Sequence, residues 1–263
     1  MWQAQFDEGA TPETYTSEYP ARHARILYAD TPGVFAATSE ADGFDAENAQ
    51  LISTNSWWKP EANAQTLTNT FTTASVIDCI GIAAHTLAGA TVELEYNFLG
   101  LWTTITEFVP ADNSSIMVLF PAKQVTGVRV TASGTNRIGR FMAGQALAMP
   151  RPGYTTLGQI DLKREASIRT YISEGGQLLG KFVERRGLMA SYQWQHIPED
   201  WYRANFDAFT LSAQTLPFFI AARPEGYETD VAYAWTDEVI MPERMGMKNW
   251  LSVGFNARGH ADV

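Results

Sequence analysis

One cysteine among 263 residues, Cys79, leaves no partner for an intrachain disulfide and no thiolate cluster for zinc. It sits in the apolar run 76–83 and reads as a small buried hydrophobe. The four histidines, His23, His85, His196 and His260, never lie three to five residues apart, so no metal-ligand spacing appears. Each reads as a surface or strand-end residue. There is no G-x-S-x-G, H-E-x-x-H, Walker loop or G-x-G-x-x-G, which removes the enzyme classes most easily read from sequence. No apolar run reaches the roughly 18 residues of a membrane span. The first residues, Met1-Trp2-Gln3-Ala4, lack the basic and apolar regions of a signal peptide, so synthesis in a cytoplasm without a visible export signal is expected. Positive charge is also short, with 19 Lys and Arg against 29 Asp and Glu for a net charge of −10. A polyanion such as DNA is repelled by that balance. No basic run exceeds two residues, and the pair Arg185-Arg186 is read as a solvated turn or a subunit contact.

What is present is a globular composition, 45% hydrophobic and 18% charged, with 8 Trp, 10 Tyr and 14 Phe. The aromatic content favours sheets and flat contact surfaces. The length supports one large or two ordinary domains, each able to bury a core without a metal or disulfide. Residues 1–23 read as an extended N-terminal arm. From 24 to 149 short strands recur: 25–29, the apolar 76–83, 91–96, 116–120, 127–132 and 141–147. In 91–96, Val92, Leu94 and Tyr96 point one way and Thr91, Glu93 and Glu95 the other. The run 76–83 reads as a strand buried on both faces. Turn clusters between these strands predict a β-sandwich. The stretch Met149-Pro150-Arg151-Pro152-Gly153 reads as a domain boundary. In 150–263, Ala190, Tyr192 and Trp194 alternate with polar neighbours, and so do Val231, Tyr233 and Trp235. One helix is predicted over 198–212, with Pro198 in its first turn and Glu199 and Asp200 near its positive end. Trp201, Asn205 or Phe206, and Phe209 then fall on one face. The fold class is therefore mainly β, a sandwich followed by a β-rich domain with one helix.

Few residue groups suggest chemistry. Glu93 and Glu95 share a strand face, but nothing supplies the contrasting environments of an acid and a nucleophile, and a solvated sheet face is expected. The oxygen-rich stretch 42–48 allows a structural calcium, although its spacing is not that of an EF-hand. Trp57-Trp58 is the most suggestive pair. Adjacent strand residues face opposite ways, so one indole can join the core while the other meets solvent, a sugar ring or a protein partner. Trp102 is a further candidate for such a contact. Trp201, Phe206, Phe218, Phe219 and Trp235 are candidates for a subunit interface or for packing.

Two resemblances follow. The order Asn55-Ser56-Trp57-Trp58, Val76-Ile77-Asp78-Cys79-Ile80, Val92–Tyr96 with Leu101-Trp102, and Val128-Arg129-Val130 resembles the galactose-binding-like, discoidin-type jelly roll over 24–149. Residues 45–52 lack the Asp-Gly that usually precedes the loop tryptophan in that family. Asp200-Trp201-Tyr202 with Phe206 and Phe209, Leu216-Pro217-Phe218-Phe219-Ile220-Ala221, Pro224-Glu225-Gly226-Tyr227 and 227–235 resemble small tail-tip proteins of long-tailed bacteriophages, over 154–263. That resemblance implies a virion structural protein. It would form a hexameric ring at the tail tip, with the tail tube, baseplate hub proteins and a cell-surface glycan as partners. The alternative is a monomeric carbohydrate-binding module, and a hydrolase with sequence-distant catalytic residues stands third. No cofactor and no catalytic residue are expected.

Overall fold

Period-two alternation carries most of the chain into strands, because side chains at i and i+2 share a face. The computed structural model describes residues 23–153, 163–224, 229–246 and 248–260. The expected arm 1–23, apart from His23, lies outside the described residues, and so do residues 225–228 of the Pro-x-x-Tyr segment. In chain order the strands are β1 (Arg25–Leu27), β2 (Gly33–Ala37), β3 (Gln65–His85), β4 (Val92–Phe98), β5 (Leu101–Phe108), β6 (Ile116–Ala132) and β7 (Ile138–Gly144). They continue as β8 (Leu147–Ala148), β9 (Lys163–Ile172), β10 (Leu178–Pro198), β11 (Phe218–Ala221), β12 (Val231–Trp235), β13 (Pro242–Arg244) and β14 (Trp250–Gly259). The architecture is mainly β, with two antiparallel sheets and a β-sandwich.

The sandwich is the six-stranded sheet β2-β3-β6-β4-β5, with β7 paired to β3. β3 and β6 are long enough to serve both of its layers. The first half of β3 lies between β2 and the end of β6, and the second half between β7 and the start of β6. Register shifts near Thr70–Ser75 and Ile77–Cys79 let the pair bend between the layers. The two strands expected at 116–120 and 127–132 are one continuous strand. Pro121 falls in the second shift, between the pairs Cys79↔Leu119 and Ile77↔Lys123, where a missing N–H breaks no ladder bond. Leu67, Ile77, Ile80, Ile82, Val92, Leu94, Val128, Val130 and Phe141 fill the space between the layers.

The second sheet runs β8-β1-β11-β12-β14-β10-β9, with β13 on β14. β1 pairs with both β8 and β11, so the two ends of the segment 24–149 belong to this sheet and not to the sandwich. The strands therefore do not divide between the sheets at residue 149. The sandwich strands from β2 to β7 form an excursion between two neighbouring strands of the second sheet, and Met149 N still donates to Ala24 O at 3.0 Å. Beyond Gly187 toward its start, β10 pairs only with β9, and the two leave the sheet as a ribbon.

Both faces of the second sheet are covered at β1, β11 and β12. Ile26, Phe218, Ile220, Ala232 and Ala234 face the helical segment, whereas Leu27, Phe219, Ala221, Val231 and Tyr233 face Cys79, Ala83 and Met142 of the sandwich. This explains why 76–83 reads as apolar on both sides: Ile80 and Ile82 enter the sandwich core, and Cys79 and Ala83 meet the second sheet. Val76 at the start of that run is exposed. The helical segment comprises α1 (Glu199–Trp201), a π-helical turn at Tyr202–Phe206 and α2 (Asp207–Ser212). The π turn closes on i+5 and rotates the later residues. It brings Phe206, and not Asn205, onto the face of Trp201 and Phe209, while Asn205 stays exposed and donates to Trp201 O at 3.0 Å. Pro198 precedes this segment as its N-cap and still pairs with Trp250 in the sheet.

Candidate recognition face

The outer face of the sandwich's first layer is built by the positions that alternate with its core residues. One row across the strands reads Val34, Thr70, Gly127, Asn97, Trp102, and the next reads Ala36, Thr68, Arg129, Glu95, Thr104. Gly127 is buried in the first row, where a Cβ would come within 2.8 Å of Asn69 O. In the second row, the Arg129 guanidinium lies 4.4 Å from the Trp102 ring centroid, a cation–π contact. Glu95 grips the same guanidinium with both oxygens: Arg129 Nη2 donates to Oε1 at 2.9 Å and Nε donates to Oε2. The hydrogen bond from Arg129 to Glu95, reinforced by the charges of Glu95 and Glu93, holds the Arg129 pKa above its ordinary value. Asn97 Oδ1 accepts from Gly100 N and from Thr126 Oγ1, both at 3.0 Å, which fixes the direction of its amide NH2. Thr104 Oγ1 donates to Glu93 at 2.9 Å. The face thus offers a partly buried indole, covered on one side by Arg129, beside the outward Asn97 amide.

Glu93 and Glu95 do share this face, as their alternation implies, but Glu95 is not solvated. It is 7% exposed, because Arg129 and Trp102 cover it. The pairing joins residues 34 apart in sequence and is invisible to local periodicity. A signal was nevertheless there: Val128-Arg129-Val130 sets a cation on the outward position of an alternating strand.

The tryptophan pair divides as strand geometry requires. Trp58 corrects the expectation of a contact residue: it is 1% exposed, its Nε1 donates to Ser39 O at 3.0 Å, and it packs in the sandwich core. A bridge to Ile138 turns it inward. Trp57 points outward, but Phe44 stacks on it at 5.7 Å and the Arg137 guanidinium lies 4.7 Å from its ring centroid. These contacts occupy the indole. Of the five candidates for interface or packing, Phe206, Phe218 and Phe219 are fully buried and present no surface to a subunit. Trp201 packs partly buried against the same core, and Trp235, at the end of β12, is exposed.

Tyr233 and Asp78 are tied into the fold away from this face. Tyr233 donates its hydroxyl to Ile52 O at 3.1 Å, and burial pushes its pKa up to about 12. Burial likewise raises the pKa of Asp78, whose Oδ1 accepts from Ala146 N at 2.7 Å. Among the described residues, no group of three or more His, Cys, Asp or Glu gathers as ligands for a metal ion. Among the described residues, no helix is long and apolar enough to cross a membrane.

His85 is held neutral. Its Nδ1 accepts from Leu87 N at 3.2 Å, so Nε2 carries the proton toward Ser114 O at 2.9 Å, and burial pushes its pKa down to about 4. The unfolded chain takes up this proton near pH 6.5 and the folded chain only near pH 4, so stability falls as the pH drops through that window. A loss on the order of 2–3 kcal/mol is expected, read as a shift in urea midpoint between about pH 7 and about pH 4.5. His85→Gln should flatten that step; an equal shift in the variant would show that His85 does not cause it.

No protein-family model and no curated protein matches the sequence. Among solved structures, the family 32 carbohydrate-binding module of C. perfringens NanJ, in complex with galactose, aligns with a TM-score of 0.41 and 18% identity, covering 45% of this chain and 98% of that one. Chitosan-binding module 1 of a chitosanase/glucanase from Paenibacillus sp. IK-5 aligns with a TM-score of 0.40 and 18% identity, covering 44% of this chain and 97% of that one. Overlaps of this size assign neither a ligand nor a binding site to this chain.

Proposed function

We propose that the chain is a non-catalytic recognition protein whose sandwich binds a saccharide on the face around Trp102. One observation carries this reading: a partly buried indole lies in one flat patch with the Arg129–Glu95 fork and the oriented Asn97 amide. A pyranose ring has an apolar C–H face and a rim of hydroxyls. The indole stacks on the first, while Arg129 and the Asn97 amide supply donors to the second. Because these groups are already locked by their neighbours, little ordering entropy is lost on binding. No proton transfer is asked of them. Of the three tryptophans expected from sequence, Trp57, Trp58 and Trp102, this reading takes Trp102 as the anchor.

Titration of a broad saccharide panel against intrinsic tryptophan fluorescence tests the reading. A saturable response is expected, and Trp102→Ala should weaken the affinity roughly 30-fold, about 2 kcal/mol, with the circular dichroism spectrum unchanged. Trp57→Ala should bind as the parent does. No response from any saccharide would remove the reading; loss of binding in Trp57→Ala alone would relocate the site.

A second reading is the ring subunit of a phage tail tip, contacting the tail tube and baseplate hub. The observation that favours it is the ribbon of β9 and β10, with Ile168, Ile172, Leu178 and Leu179 exposed and fit for subunit contact. Mass spectrometry of purified phage particles tests this reading, and absence of the chain from them would sink it.

A further inference from the structure

The face around Trp102 extends well past the indole. The strand order β2-β3-β6-β4-β5 makes β5 one edge of this layer and β2 the other. The first row runs from Trp102 to Val34 and the second from Thr104 to Ala36. Four strand intervals put the two ends of a row about 19 Å apart. A single pyranose ring on the indole covers one end of that length and leaves the rest bare.

The far end repeats the apolar character of the near end. Val34 is 67% exposed, and Ala36 beside it is exposed, whereas Phe35 between them enters the core. Hydroxyls lie between the two ends. Thr66, Thr68 and Thr70 recur at every second residue of β3, and Thr66 bonds Thr131 of β6 at 2.9 Å. Val34, Ala36 and Thr104 are exposed at the edges themselves, so a chain can enter over one edge and leave over the other. Recognition of a chain end needs a cavity that closes round it. An open face with two free edges takes the middle of a chain instead, and its short side chains suit an extended ribbon better than a coil.

The charge of the face narrows the chain further. The third row sets Glu93 of β4 directly opposite Glu107 of β5. With Glu95 these are three carboxylates against one cation in the three rows, Arg129, and Glu95 already grips it. A polyuronate is repelled by that balance, whereas hydroxyl and amide partners fit a chain without charge.

We propose that this face holds an internal stretch of a neutral, extended polysaccharide. The chain lies across the strands from Trp102 to Val34, and Thr68, Thr70 and the Asn97 amide bond its hydroxyls. The proposal rests on the saccharide reading of the Trp102 face and adds the length and class of the chain.

Calorimetric titration of the full chain with cello-, manno- and N-acetylchito-oligosaccharides, each graded from monosaccharide to hexasaccharide, tests it. In at least one series the affinity should climb about tenfold or more from disaccharide to hexasaccharide. Val34→Asp with Thr70→Ala should erase that gain with an unchanged circular dichroism spectrum, because both side chains point to solvent. Thr68→Ala alone should reduce the gain, and it replaces the double variant if that spectrum changes. Polygalacturonate should not bind. Equal affinity for monosaccharide and hexasaccharide, or a length gain that survives the changes at 34, 68 and 70, overturns the proposal and leaves the Trp102 reading standing. Tighter binding of polygalacturonate than of every neutral series also overturns it. Silence from every saccharide removes the Trp102 reading itself, and the proposal with it.

Discussion

Phe219→Ala should cost about 3–5 kcal/mol of stability, the usual range for emptying a fully buried phenylalanine site. Phe219 is 0% exposed and sits where the second sheet meets the sandwich, against Cys79, Ala83, Met142 and Tyr233. Its ring also lies flat over Gly81 of β3: a Cβ built on Gly81 would come within 2.7 Å of the Phe219 ring. Gly81→Ala should therefore cost about 1–3 kcal/mol by overpacking. In the Phe219→Ala background the added methyl enters the vacated space, and its cost should vanish or reverse. The two sheets share this contact layer, so the parent should unfold in a single cooperative transition, and Phe219→Ala is the variant expected to split it. Urea denaturation followed by tryptophan fluorescence and by circular dichroism measures all of this. A loss below about 1 kcal/mol for Phe219→Ala, or equal costs of Gly81→Ala in both backgrounds, would show that the layer does not couple the sheets.

Arg140→Ala should cost about 1–3 kcal/mol near neutral pH, because it leaves the partly buried Asp30 carboxylate without its cation. Arg140 of β7 is 5% exposed; its Nη2 lies 2.8 Å from Asp30 Oδ2, and Nη1 donates to Gln50 O. Asp30 Oδ1 also accepts from Ala143 N at 3.2 Å. Burial raises the Asp30 pKa and Arg140 pulls it back. Without the guanidinium, the folded-state pKa of Asp30 rises further above its unfolded value. The penalty is then present at neutral pH and fades as the pH falls through that raised pKa. The measured loss should shrink between about pH 7 and about pH 5. Replacing both partners, as Asp30→Asn with Arg140→Met, should recover part of the stability, since the desolvated charges go together. A pH-independent loss in Arg140→Ala would mean that packing, and not the stranded carboxylate, carries the effect.

The candidate recognition face was half legible. Trp102 and the outward position of Arg129 could be read from alternation, and so could Glu93 and Glu95 on one face. Their meeting could not, because Glu95 and Arg129 sit on strands whose register is set by packing and turn geometry rather than by local preference. The ribbon's exposure was hidden for the same reason: 163–172 and 178–187 carry ordinary strand sequences, and only the end of β14 decides that 178–187 pairs with β9 alone.

By itself the sequence determined what depends on neighbours a few residues away. It set the alternation of Val92, Leu94 and Tyr96 and of Ala190, Tyr192 and Trp194. It set a helical start after Pro198, and the opposite facing of Trp57 and Trp58. These follow from the periods of strand and helix, which need no distant partner. The tertiary structure alone decided which of the two tryptophans turns inward and which of Asn205 and Phe206 joins the helix face. It also decided that Phe219 closes over Gly81, and that the sandwich is set between β1 and β8 of a second sheet. Each of those outcomes depends on the pairing and packing of strands far apart in the chain, where shape and buried area select among arrangements that local propensity leaves equal.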